Sequence, residues 1–204
     1  MSVHARTATF SGRPDTINAG VDYLRNEAVP AILGMRCIGM SVLADRQSGM
    51  CIVTTAWETR VAMRASVNKI RPIRERIAKT LAGMVEVEEW EIASMHRRQS
   101  SVHPTCAKVT WLRLGSEGAD QLIADFGTEV LPALNAIRGF CSASLLVNRE
   151  WGRAAVSAAY DGPEAMGRRI NRADGGHDVG SNIIATRSFD LVMPHLRVPD
   201  LASY

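Results

Sequence analysis

An α+β fold in which one βαββαβ unit occurs twice is what this 204-residue sequence predicts, on three observations. The first is an internal repeat: Glu27-Ala-Val-Pro30-Ala-Ile-Leu-Gly-Met-Arg36 aligns with Glu129-Val-Leu-Pro132-Ala-Leu-Asn-Ala-Ile-Arg138 at an offset of 102. The second is its continuation. Arg46, Gly49, Val53, Ala56, Trp57 and Glu58 meet Arg149, Gly152, Val156, Ala159, Tyr160 and Asp161 at an offset of 103. The third is that the secondary-structure pattern repeats in the same order in both halves. Such an order makes a ferredoxin-like half, a four-stranded antiparallel sheet with both helices on one face. The bare face of that sheet needs a cover, and the second copy supplies one. Two sheets meeting face to face make a barrel with helices outside.

In the first half, Ala5–Phe10 reads as a strand closed by Ser11-Gly12. Pro14 suits the first turn of a helix, and Ile17, Val21, Leu24, Ala28 and Ile32 give it an apolar stripe. Pro30 lies inside this helix, as Pro132 does in the second half, and should kink or shift it. Cys37–Ala44 and Met50–Trp57 are strands joined by a hairpin loop, Asp45-Arg46-Gln47-Ser48-Gly49. A helical region spans about residues 60–81; Pro72 is expected to divide it and Gly83 to end it. Val85–Met95 closes the half.

The second half repeats the order: strand Ala107–Leu114, then a helix with Ala119, Leu122, Ile123, Phe126, Val130, Leu134 and Ile137 on one stripe. Strands Phe140–Val147 and Arg153–Tyr160 follow, then a helix from Pro163 and a closing strand Ile183–Val192. Residues 173–182 are too glycine-rich for the long helix of the first half. The expected organisation is a first repeat over residues 1–96, a linker over 97–105, a second repeat over 106–193 and a C-terminal arm over 194–204.

Composition narrows the function classes. The chain is 46% hydrophobic and 22% charged, enough to bury a core and too apolar for disorder. Its apolar runs are far shorter than a membrane span, and the N-terminus lacks the apolar stretch of a secretory signal. A soluble, cytoplasmic protein without membrane contact is expected. A net charge of +3 suggests no nucleic-acid partner. Cys37, Cys51, Cys106 and Cys141 form no CxxC and have no histidine at metal-ligand spacing, so they read as buried free thiols rather than a metal site.

The stretch Cys51-Ile-Val-Thr-Thr-Ala-Trp57-Glu58-Thr59-Arg-Val-Ala62-Met63 resembles the strand-to-helix signature of the antibiotic biosynthesis monooxygenase-like family, and Tyr160-Asp161-Gly-Pro-Glu-Ala165-Met166 resembles a weaker copy. The resemblance covers about residues 3–95 and 106–193 and implies an intramolecular dimeric α/β barrel. It further implies a small-molecule monooxygenase that needs no cofactor and holds an aromatic or quinol-like substrate in the barrel cavity. The alternatives are a non-catalytic ligand-binding or assembly barrel and a haem-binding or haem-degrading relative. For the haem branch, Ser66 and Glu75 stand where the first half should have a Trp and a ligating His, and Arg169 replaces the Trp in the second half. Only His177 falls near the iron-ligand position. A homodimer through outer faces is a further expectation.

Four residues are candidates for substrate binding. Trp57 and Tyr160, at matching strand ends, could stack on a ligand, against a core-packing role. Arg36 and Arg138 could bind a substrate carboxylate, against structural pairing with Glu27 and Glu129. No catalytic residue is assigned. Glu58 and Asp161 could act as bases, against capping or charging the start of the following helix. Arg71, Arg74, Arg76 and Lys79 read as a solvated helix face, and Glu86, Glu88, Glu89 and Glu91 as surface charge.

Overall fold

The structure is a computed structural model that describes residues 2–35, 37–98, 103–115, 118–168 and 182–195. The first half runs β1 (His4–Ser11), α1 (Ile17–Tyr23), a π-helical segment Leu24–Ala28, α2 (Val29–Leu33), β2 (Gly39–Asp45), β3 (Met50–Trp57), α3 (Arg60–Ala65), α4 (Val67–Thr80) and β4 (Met84–Arg97). The second runs β5 (Cys106–Arg113), α5 (Gly118–Asp125), a π-helical segment Phe126–Val130, α6 (Leu131–Asn135), β6 (Phe140–Asn148), β7 (Arg153–Tyr160), α7 (Pro163–Gly167) and β8 (Ile183–His195). The strands hydrogen-bond in the closed order β1-β3-β2-β8-β5-β7-β6-β4, an antiparallel α+β barrel.

The described residues form two units. One holds those up to Trp90 together with 190–195, the other residues 91–189. In the first, β3 lies between β1 and β2, with Arg6 opposite Thr55 and Ala8 opposite Val53, and the end of β8 pairs with β2. Its core is Phe10, Ile17, Val21, Leu24, Ile32, Val42, Ile77 and Leu81, so the apolar stripe read from the sequence is the buried face of α1 and α2. In the second, β7 lies between β5 and β6, the end of β4 pairs with β6, and Phe126, Leu134, Phe140, Leu145 and Tyr160 fill the core.

The two internal prolines have one physical effect. A proline lacks the N–H that would bond the carbonyl four residues back, and in both halves the helix widens to π geometry just before it. Val29 donates to the Leu24 carbonyl and Leu131 to the Phe126 carbonyl, each five residues back.

Three local expectations are corrected. The region over 60–81 breaks at Ser66, not at Pro72, which lies inside α4. Ser66 Oγ turns back to donate to the Met63 carbonyl, 2.7 Å away, while Pro72 faces solvent, where water can serve the carbonyl it leaves free. The left-handed residue after α4 is Ala82 (φ 50°), not Gly83. Gly83 is needed for room, since a Cβ there would overlap the Ser11 carbonyl. The cap of α3 is Thr59 rather than Glu58: its hydroxyl accepts from the Ala62 N–H at 3.0 Å.

Candidate functional site

Alternation along β1 puts Arg6, Ala8 and Phe10 on one face, and the register sets Thr55 and Val53 of β3 beside them. Ile70, Ile73, Arg74 and Ile77 of α4 follow helical spacing and face the same space, with Ile32 of α2. Together they line a narrow cleft, open at its mouth, with room for about 20 Å³. Seven aliphatic or aromatic side chains line it, and the polar lining is Arg6, Thr55 and Arg74.

Arg6 is buried, its side chain 4% exposed. Its guanidinium donates to Ser66 Oγ at 3.2 Å, to the Met63 carbonyl at 3.0 Å and to Glu89 Oε1 at 3.0 Å. The carboxylate of Glu89, on β4, also accepts from Arg64 Nε at 3.2 Å. Burial pushes the Glu89 pKa up, but hydrogen bonds and charge from Arg6 and Arg64 outweigh it and hold the carboxyl below its ordinary value. Thr55 Oγ1 donates to the Arg6 carbonyl at 3.3 Å and accepts from Trp57 Nε1 at 3.1 Å, so Trp57 supports the floor of the cleft from behind.

Arg74 is different. It is half-buried and makes no hydrogen bond or ion pair with any described residue. Burial, the Arg6 charge and the Arg71 charge lower its pKa and outweigh the opposing charge of Glu75, and of the two guanidinium groups in this apolar cleft only Arg6 has an ion pair.

The second half keeps part of this arrangement. Lys108 stands 102 residues after Arg6, and its ammonium donates to the Met166 carbonyl at 2.8 Å, as Arg6 does to Met63. Aligning Trp90 with Phe189 puts Ser188 where Glu89 would be.

Of the four expected binding residues, Trp57 is 1% exposed and packs with Met63 and Ile70. Tyr160 is 3% exposed, and its ring meets Phe140 edge-on at 6.0 Å. Burial, then the nearby Cys106, pushes the Tyr160 hydroxyl up to about 12. Arg138 is exposed and, against expectation, forms no salt bridge with Glu129, which is also exposed. Arg36 and His177 lie outside the described residues. Two further readings are overturned: Arg74 lines the cleft instead of a solvated face, and Glu89 binds a buried arginine instead of serving as surface charge.

Sequence reasoning passed over Arg6 and misread Arg74 and Glu89, although two of the three left a signal. Arg74 interrupts the stripe Ile70, Ile73 and Ile77, and Arg6 shares the inward parity of Ala8 and Phe10. A charge on an otherwise apolar face needs a partner or a ligand.

This geometry defines a class: an α+β barrel with an apolar, arginine-lined cleft against one sheet. No family model matches the chain. It is 42% identical to the uncharacterised protein Rv2557 of Mycobacterium tuberculosis over 98% of this chain and 92% of that one. It is 40% identical to Rv2558 of the same organism, over 98% and 87%. The chain belongs to the family of these two proteins. Among solved structures it shares its fold with a protein provisionally designated a monooxygenase from Fusobacterium nucleatum (TM-score 0.65, 9% identity, 93% of this chain and 91% of that one). An anthrone oxidase-like protein is similar to the same degree (TM-score 0.64, 9% identity, 97% and 95%). A haem-degrading enzyme of Listeria monocytogenes is more distant (TM-score 0.50, 8% identity, 91% and 98%). Among the described residues no helix is long and apolar enough to cross a membrane.

Proposed function

We propose that this protein is a small-molecule monooxygenase of the antibiotic biosynthesis monooxygenase-like kind, built by tandem duplication and acting without a cofactor on an aromatic or quinol-like substrate. The observation that carries the reading is the cleft of the first half, where Arg6, Thr55 and Arg74 meet an apolar lining. Cofactor-free oxygenation needs a substrate anion that can give electrons to dioxygen, and arginines beside the ring stabilise that anion. The cleft lining holds no carboxylate or histidine among the described residues, so the substrate must ionise readily by itself. For a ring methylene flanked by aromatic carbonyl and phenol groups, the carbanion bonds to dioxygen and the resulting peroxide loses water. The methylene becomes a carbonyl, one oxygen atom enters the product and the other leaves as water, all four electrons coming from the substrate.

The test is oxygen uptake by purified protein, with no added metal or cofactor, across a panel of anthrones and quinols. One dioxygen consumed per substrate, with a large loss of rate in Arg6→Met, is expected. No uptake with any of the panel refutes the oxygenase reading. A parallel haem titration should give no saturable shift of the Soret band; a shift abolished by His177→Ala would replace this reading with the haem branch.

A further inference from the structure

We infer that the ligand of this cleft is an aromatic acid whose carboxylate is read by Arg74. This rests on the cleft being the substrate site and names the substrate class for it.

The argument is one of charge. Arg6 is locked in place: its guanidinium is shared among Ser66, the Met63 carbonyl and Glu89, and that ion pair neutralises it. Arg74 lines the same cleft with no partner among the described residues. Around Arg74 itself, Arg6 and Arg71 add positive charge and Glu75 adds negative charge. A buried or half-buried cation is disfavoured unless an anion meets it. Apart from the arginines the lining offers Thr55 and seven apolar side chains, so the complementary molecule has a flat apolar body and one anionic group. A planar guanidinium fits a carboxylate with two parallel hydrogen bonds, a match that a phenol or an amide does not give.

Isothermal titration with 2-naphthoate and 2-naphthamide, which share one shape and differ in charge, tests this. The wild-type protein should bind the acid about tenfold or more tightly than the amide, the scale of a charge-assisted hydrogen bond. Arg74→Gln should bring the two within about twofold of each other by weakening the acid alone, and Arg74→Lys, which keeps the charge and loses the fork, should keep only part of the preference. Thermal unfolding of each variant confirms that it is folded. Equal binding of acid and amide, no binding of either, or a preference that survives Arg74→Gln overturns the inference. Competition by inorganic phosphate as effective as that of naphthoate would also overturn it, because the ring would then contribute nothing. Oxygen uptake enters none of these measurements. A protein that selects the acid and consumes no oxygen refutes the oxygenase reading alone, and one that oxidises neutral quinols without acid preference refutes this inference alone.

Discussion

Replacing Glu89 by glutamine should lower stability and raise anion affinity together, and the two signs make the experiment decisive. Glu89 is the carboxylate that compensates Arg6, whose side chain is 4% exposed against 31% for Glu89. Charges about 4 Å apart at an effective dielectric near 20 attract by ~4 kcal/mol. Part of that returns when the carboxylate no longer has to be desolvated, and the glutamine oxygen can still accept one hydrogen bond. The net loss should be roughly 2–3 kcal/mol, below the full cost of orphaning a deeply buried charge because water reaches Glu89. For a chain of this length that lowers Tm by about 4–12 °C. Arg64→Gln is the control: Arg64 is 61% exposed, so its loss should cost less than about 1 kcal/mol. The depressed pKa of Glu89 sets the pH dependence, because its stabilisation is complete above the ordinary value of 4.5 and fades as pH falls through its own lower value. The gap between wild type and Glu89→Gln should therefore hold at neutral pH and close below 4.5. Meanwhile the released Arg6 becomes a second cation for the ligand, and 2-naphthoate should bind about 3- to 10-fold tighter. Urea unfolding between pH 3 and 7 and titration calorimetry provide both readouts. A variant within about 0.5 kcal/mol of wild type, or one whose deficit grows in acid, refutes the assignment of Glu89 as the partner of Arg6.

Two more outcomes follow from the geometry. Tyr160 has its hydroxyl pushed up to about 12 from 10.0, so the unfolded chain loses this proton first; stability should fall between pH 10 and 12 by roughly 2–3 kcal/mol. Urea unfolding across that range reads the fall, and Tyr160→Phe should remove the component if the assignment is right. The second outcome compares the repeat-related glycines Gly49 and Gly152, which have φ of 73° and 59°. A Cβ at Gly49 would lie 2.6 Å from the Gly12 carbonyl oxygen, whereas one at Gly152 meets nothing within 4 Å. Thermal unfolding should show Gly49→Ala losing roughly 2–4 kcal/mol and Gly152→Ala about 1 kcal/mol. Equal losses would mean that backbone conformation, not crowding, decides both.

The fold was largely legible because it rests on periodicity. The stripe from Ile17 to Ile32 and the strands Met50–Trp57 and Arg153–Tyr160 bury the faces their spacing implies. Element ends were less legible, since they depend on single contacts: a local side-chain turn-back at Ser66, and the crowding of Gly83 by Ser11, far away in sequence. The candidate site was the least legible part. Arg6 on β1, Ser66 between α3 and α4 and Glu89 on β4 are separated by 60 and 83 positions along the chain from Arg6, and no local pattern links them. The repeat marks other residues, and repetition preserves what the scaffold needs. Trp57 and Tyr160 accordingly sit in the packed cores of their halves.

The same logic separates architecture from chemistry at Arg6 and Lys108. Both cations donate to a carbonyl in the last turn of a short helix, Met63 in α3 and Met166 in α7. Helix ends leave carbonyls unpaired and carry partial negative charge, so a cation there stabilises the helix whatever else it does. That shared bond accounts for a positive side chain at this position in each half, and lysine suffices for it. Arginine has further donors in a fixed fork, and in the first half these reach Ser66 and Glu89, which fixes the guanidinium beside the cleft. Ser188 in place of Glu89 leaves the second half without the carboxylate that such a fork would grip. The asymmetry therefore runs in one direction: the helix-capping cation is common to both halves, and the buried arginine–carboxylate pair belongs to the first. A Lys108→Arg exchange should accordingly change stability and leave naphthoate binding where it was.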